Sequence, residues 1–145
     1  MANNEERNEE KNNCTFCAEN PEAHSFFCYQ SSEKPYLYKT IVADSVLYND
    51  PESIIHHMEY DPYLMKEPML EWEWSIDMRN AHMKHYLAFN TVREISKWID
   101  REKDNKCKNL KKIVVLNEVY YLMSPLIHLA KMFLPGHIEI VVSGD

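Results

Sequence analysis

The last third of the chain contains two short apolar segments on either side of a stretch with helical periodicity. Residues 111–116 (KKIVVL) and 137–142 (HIEIVV) have the length and the β-branched content of buried strands. Residues 118–133 predict a helix in which Pro125 causes a kink or a restart. A strand, a helical crossover of about 20 residues and a second strand form, most simply, a right-handed βαβ unit. This ending favours an α/β fold.

The preceding residues add strand and helix signals. Alternation over residues 36–48 predicts a strand, and residues 52–59 predict a helix capped by Asp50 with Pro51 at its first position. We expect residues 60–70, which contain two prolines, to be irregular.

Two further elements follow the irregular region. The sequence EWEW at residues 71–74 alternates strictly, which predicts a half-buried strand with both tryptophans on one side. Residues 77–103 give the longest helix signal, with Asp77 as its N-cap. Its predicted apolar stripe consists of Ala81, His85, Ala88, Val92, Ile95 and Ile99.

These signals define a fold class and a division of the chain. We expect an α/β (or α+β) fold, in which helices near residues 77–103 and 118–133 cover a small mixed sheet that ends in the βαβ unit. Residues 1–13 are polar and acidic and predict a disordered tail. Residues 14–30 predict a zinc-binding loop stapled to the body, and residues 31–145 predict a single α/β domain.

The zinc prediction depends on a cluster of cysteine and histidine. Cys14, Cys17, His24 and Cys28 have the spacing C-x2-C-x6-H-x3-C. Four such ligands suit tetrahedral Zn²⁺ with no open coordination position, which is typical of a structural site. The sequence therefore predicts that zinc fixes the fold of this segment.

Cys107 provides an alternative ligand. It could replace His24 in a site of four thiolates that bridges two parts of the chain. It lies among lysines, whose charge we expect to favour the thiolate, and this also leaves open a reactive cysteine.

Composition excludes several classes of function. A formal net charge of −7 argues against a protein devoted to nonspecific nucleic-acid binding. Only two glycines occur, so neither a dinucleotide-binding turn nor a P-loop can be built. The sequence has no apolar run of 18 or more residues, so it predicts no membrane span, and its polar, acidic N-terminus predicts no signal peptide. We therefore expect an intracellular protein of the cytoplasm or nucleus, where clustered cysteines indicate metal binding.

Weaker candidates for binding lie on two segments. Trp72 and Trp74, within an acidic run that includes Glu71 and Glu73, suit either a core-facing strand or the anchors of a protein-binding surface. The other segment is a basic patch, which could contact a nucleic-acid backbone or an acidic partner. It consists of Arg101, Lys103, Lys106, Lys108, Lys111 and Lys112.

The histidines give the least specific signal. His82 and His85 are three residues apart on the predicted helix, which makes them neighbours that could serve as a metal pair or a general base. Completion of the apolar stripe by His85 is the structural interpretation. For the adjacent pair His56 and His57, we favour solvated positions on a helix.

Three functions are compatible with these observations. The leading hypothesis is a non-enzymatic, zinc-binding adaptor or regulatory module whose partner is another protein. The alternatives are a nucleic-acid-binding domain that uses the zinc loop and the basic patch, and an enzyme whose site is assembled from histidines and the acidic run. The sequence leaves the oligomeric state and the identity of the partner open.

Native mass spectrometry of freshly purified, reduced protein tests the zinc site. We expect one zinc ion in the wild type, its loss in Cys14→Ser and its retention in Cys107→Ser, because only the first substitution removes a ligand of the N-terminal cluster. Loss of zinc in Cys107→Ser with retention in Cys14→Ser would contradict the predicted ligand set.

Overall fold

A computed structural model describes residues 27–31, 36–44, 47–59, 71–117 and 120–144. A 3₁₀ turn, Val42–Asp44, follows the second strand. The helices and strands, in chain order, are β1 (Phe27–Ser31), β2 (Tyr36–Ile41), α1 (Pro51–Glu59), β3 (Trp72–Asp77), α2 (Met83–Tyr86), α3 (Phe89–Arg101), β4 (Leu110–Leu116), α4 (Tyr120–Phe133) and β5 (Glu139–Ser143).

The five strands form one mixed sheet in the order β1-β2-β3-β4-β5. Strands β2 to β5 are parallel, and β1 is antiparallel to β2. The predicted mixed α/β fold is confirmed. The pairing of β4 with β5 also confirms that the chain ends in two parallel strands joined by a helix.

The helices lie together on one side of the sheet. Each crossover connects a parallel strand to its immediate neighbour, and successive strands are added in the same direction across the sheet. Because such crossovers are right-handed, they all lie on the same face of the sheet. Accordingly, Ile54 of α1, Ile99 of α3 and Leu126 of α4 join a single core cluster. This core includes Trp74 of β3 and Ile113 of β4.

Strand β3 directs both of its tryptophans into this core. Trp72 is 3% exposed and Trp74 is 4% exposed, as expected for alternate residues on the covered face of a strand. Tyr38 of β2 packs edge-on against both indoles, at centroid distances of 6.0 and 6.1 Å. The prediction that the tryptophans share one side is confirmed, and the alternative that they form exposed anchors for a partner is wrong.

Helix α1 begins as its sequence predicts. Pro51 is its first residue, and the carboxylate of Asp50 accepts a hydrogen bond of 3.1 Å from the backbone N–H of Ser53. At the other end of α1, Glu59 accepts a hydrogen bond of 3.0 Å from the indole N–H of Trp98. This contact joins α1 to α3.

The single long helix predicted for residues 77–103 is wrong. Asp77 is the last residue of β3, and its carboxylate accepts hydrogen bonds from Arg79 instead of capping a helix. Asn80 has a φ of 64°, a left-handed conformation that prevents helical continuation. The region therefore contains a strand end, a turn, the four-residue helix α2 and then α3.

Other boundaries also differ from the sequence-based expectation. Strand β2 ends at Ile41, and the predicted strand over residues 36–48 gives way to the 3₁₀ turn. The last residues of the predicted zinc loop form β1, where Cys28 lies opposite Lys39 of β2. Helix α4 continues through Pro125, so the proline causes no restart.

The buried hydrogen bond between β3 and β2 gives a test of this core. The indole N–H of Trp74 donates to Thr40 Oγ1 at 2.8 Å. Thr40→Val should lower the free energy of unfolding by about 1–3 kcal/mol, because it leaves a buried donor without an acceptor. Urea denaturation measures this, and the same substitution should cost much less in a Trp74→Phe background. An equal cost in both backgrounds would contradict the role of the hydrogen bond.

Candidate ligand-binding cavity

A cavity of about 150 Å³ lies between the sheet and the helices. Side chains such as Ile76 and Val115 line it from the sheet, and Ile54, Val92 and Ile127 line it from α1, α3 and α4. Engineered apolar cavities of this volume hold a benzene-sized molecule. The cavity is therefore large enough for a small organic ligand.

Small side chains border the space. Ala88, which precedes α3, lines the cavity together with Thr91, Ser96 and Ala130, where a Leu or Phe would fill a normal core. Larger side chains, such as Met123, line it beside these positions. The space therefore lies between small and bulky residues of one layer.

Two hydroxyl groups in the lining already have protein partners. Thr40 Oγ1 accepts from the Trp74 indole, and Thr91 Oγ1 donates to the backbone carbonyl of Tyr48 at 2.9 Å. The second bond ties the start of α3 to the loop before α1. Both hydroxyls therefore serve to position the walls.

His85 is the most informative polar residue of the lining. It lies on α2, is 3% exposed and contacts the ring of Tyr48 edge-on at a centroid distance of 4.7 Å. Its Nδ1 accepts a hydrogen bond of 2.9 Å from the backbone N–H of His82. Its Nε2 is buried and has no hydrogen-bond partner in the part of the chain that the structure describes.

The surroundings of His85 favour its neutral form. Burial lowers the pKa of His85 below its ordinary value of 6.5, and the charges of Lys84 and His82 lower it further. The imidazole is therefore uncharged at neutral pH.

A second group of polar residues lies at the carboxyl ends of the parallel strands, where α/β proteins commonly bind ligands. Asp77 accepts from the guanidinium of Arg79 at 2.9 and 3.0 Å, which holds the pKa of Asp77 below its usual range. Asn117 follows β4 and accepts from the hydroxyl of Tyr86 at 3.0 Å. The Asp77 carboxylate is thus paired with Arg79, whereas Asn117 Nδ2 is buried without a hydrogen-bond partner among the described residues.

The enzyme hypothesis required His82 or His85 to meet the acidic run in a pocket. His85 lines the cavity, but Glu71 is exposed and Glu73 lies on the sheet face opposite Trp74. His82 is exposed as well. The structure therefore does not bring these histidines and glutamates together.

The basic patch extends from the end of α3, through the turns over residues 102–109, into β4. Lys106 and Lys112 are half-buried, and Lys103 lies 3.8 Å from Asp100. The exposed cations of the patch are Arg101, Lys103, Lys108 and Lys111. Binding of nucleic acid or an acidic partner by this surface stays a prediction.

Cys107 differs from the expectation for a loop cysteine. It is fully buried, and its backbone N–H donates to the carbonyl of Glu102 at 2.9 Å. Burial, followed by the charge of Glu102, raises the pKa of the Cys107 thiol, so the predicted stabilisation of the thiolate by lysines is wrong. The alternative in which Cys107 replaces His24 as a zinc ligand stays a prediction.

The predicted zinc ligands Cys14, Cys17 and His24 lie outside the described residues, and of Cys28 the structure describes the backbone. Among the residues that are described, no group of three or more His, Cys, Asp or Glu side chains could hold a metal ion. The zinc site thus stays a prediction.

Comparisons with protein families and with curated proteins find no match to this chain. Within the described ranges, every helix is too short or too polar to cross a membrane.

The cavity was not predicted from the sequence. Its signal lies in the small residues Ala88, Thr91 and Ser96, which accompany the apolar stripe of α3. Small residues on a core-facing stripe suit close packing as well as a cavity, so the pattern alone does not distinguish the two.

The lowered pKa of His85 predicts a pH-dependent stability. At pH values between the lowered pKa of folded His85 and its ordinary pKa of 6.5, the unfolded chain binds a proton that the folded chain does not. The free energy of unfolding therefore falls as the pH falls below about 6.5. Urea denaturation at pH 7.5 and pH 5.5 should show a smaller loss for His85→Phe than for the wild type. His128→Gln, at an exposed position of α4, should retain the wild-type loss. A full wild-type loss in His85→Phe would contradict the assignment.

Proposed function

We propose that this protein binds a small, largely apolar molecule in the cavity between its sheet and its helices. The observation that carries the proposal is a 150 Å³ space in the middle of the only core cluster that the described residues form. Interiors of proteins are normally packed to crystal-like density, and large voids lower stability. Ligand binding gives such a space a function.

The chemistry of the walls selects the class of ligand. None of the described residues that line the cavity is Asp, Glu, Lys or Arg, and most are aliphatic. An ionised ligand would lose its hydration without gaining a counter-charge, which costs several kcal/mol. An uncharged molecule would instead gain about 25 cal/mol for each Å² of apolar surface removed from water. The cavity therefore favours neutral, apolar ligands.

The functions predicted from the sequence use other parts of the chain and are compatible with ligand binding. A structural zinc loop that supports contact with a partner protein would involve the N-terminal segment, whereas the cavity is built from Thr40 and later residues. The basic patch supports the nucleic-acid alternative through its exposed cations. Both remain proposals. The measurement of zinc content addresses the first, and binding to RNA or DNA that weakens steeply with rising salt would support the second.

Filling the cavity should abolish binding of a small aromatic probe. In the wild type, toluene at a hundredfold excess over its Kd should stabilise the fold by about 2.7 kcal/mol, seen as a higher melting temperature. Ala130→Leu places three more carbon atoms in the space and should remove most of this shift.

The matched control is His128→Leu, on the same helix at an exposed position. It should keep the stabilisation by toluene. An equal shift in Ala130→Leu and the wild type would show that the probe binds elsewhere, and no shift in the wild type would overturn the proposal.

A further inference from the structure

We infer that the cavity selects neutral carbonyl compounds, because His85 presents a fixed Nε2–H donor to the ligand. This inference rests on the proposed function and adds the polar group that the ligand must carry. The observations that lead to it are the hydrogen bond to His85 Nδ1, the burial of His85 and its position in the wall.

The backbone of His82 determines which nitrogen of His85 carries the proton. An N–H group can only donate, and the N–H of His82 lies 2.9 Å from His85 Nδ1. Nδ1 must therefore be the unprotonated acceptor. In a neutral imidazole, the proton then resides on Nε2, which makes this atom a donor.

Binding of an acceptor to the Nε2–H group is expected to be favourable. His85 lines the cavity, and its Nε2 is buried without a hydrogen-bond partner among the described residues. A buried donor without an acceptor is destabilising, because it has lost its bonds to water. An acceptor on a bound ligand would relieve that loss.

The ring of His85 is also held in place before a ligand arrives. Tyr48 packs edge-on against it, and the Tyr48 backbone carbonyl is itself fixed by the hydroxyl of Thr91. The N–H of His82 holds the imidazole at Nδ1. Because little side-chain freedom remains to be lost, the donor is pre-organised for recognition.

The required acceptor is a neutral oxygen. The described residues of the wall include no cation to accompany a carboxylate, and His85 itself is held uncharged. A ketone or aldehyde oxygen accepts a hydrogen bond, carries no charge and belongs to molecules small enough for a 150 Å³ cavity. Small aromatic or cyclic carbonyl compounds fit both conditions.

A matched pair of probes tests this selection. Acetophenone and α-methylstyrene have nearly the same shape and differ by a carbonyl oxygen in place of a methylene group. Isothermal titration calorimetry gives the affinity of each probe. In the ratio of the two affinities, the contribution of the packing that both probes share cancels. The ratio of ketone to alkene affinity should fall roughly tenfold in His85→Phe, because Phe keeps an aromatic ring and lacks the donor.

His128→Leu is the control variant. It removes an exposed imidazole on α4 that does not line the cavity, so the affinity ratio should remain at its wild-type value. A fall in the ratio as large as that in His85→Phe would show that the selection does not depend on His85.

Nitrogen chemical shifts of wild-type His85 give a second test that requires no substitution. Long-range ¹H–¹⁵N correlation spectra at pH 7.5 should show a protonated Nε2 and an unprotonated Nδ1. The opposite tautomer would overturn the inference.

The outcomes separate the two proposals. If α-methylstyrene binds the wild type and the affinity ratio is unchanged in His85→Phe, ligand binding stands and the selection by His85 is wrong. If neither probe binds the wild type, both proposals fail. A fall in the ratio in His85→Phe alone, with the Nε2–H tautomer in the spectra, is the result that we expect.

Discussion

One apolar layer between a parallel sheet and three helices supports the whole structure. Because β2 to β5 follow one another in space as they do in the chain, the crossovers place α1, α3 and α4 on the same face. Every core side chain of the described fold therefore contributes to a single interface. Within this layer of the described residues, the side chains leave a cavity that Ala88 and Ala130 border.

Buried polar groups explain why this layer keeps a defined shape. The indole N–H of Trp74 binds Thr40, the Thr91 hydroxyl binds the loop at Tyr48, and neighbouring elements are thereby locked in register. Each of these pairs is worth about 0.5–1.5 kcal/mol, and breaking one costs more because its partner stays buried. Among the described residues that line the cavity, His85 departs from this pattern because its buried Nε2 has no partner, which is the physical reason for assigning it to a ligand and not to the scaffold.

Local signals account for the parts of the fold that the sequence predicts. Strand β3 shows strict alternation, and α1 has a cap and a first-position proline, so both are specified by residues within a few positions of each other. The single helix predicted to begin at Asp77 does not form. Apolar residues at every third or fourth position predict a helix, but here the same spacing runs across a strand end, a turn and two helices. The break depends on Asn80, whose left-handed φ of 64° has no counterpart in hydrophobic periodicity.

Properties of the candidate site depend on tertiary packing, which no local pattern encodes. Cys107 lies among lysines in the sequence, yet the turn that brings its N–H to Glu102 buries the thiol and reverses the expected direction of its pKa shift. His82 and His85 are neighbours, as the spacing of three residues predicts. The decisive contact, however, joins the backbone N–H of His82 to Nδ1 of His85. From this contact we infer that the proton of the neutral imidazole is on Nε2, which makes Nε2 a hydrogen-bond donor.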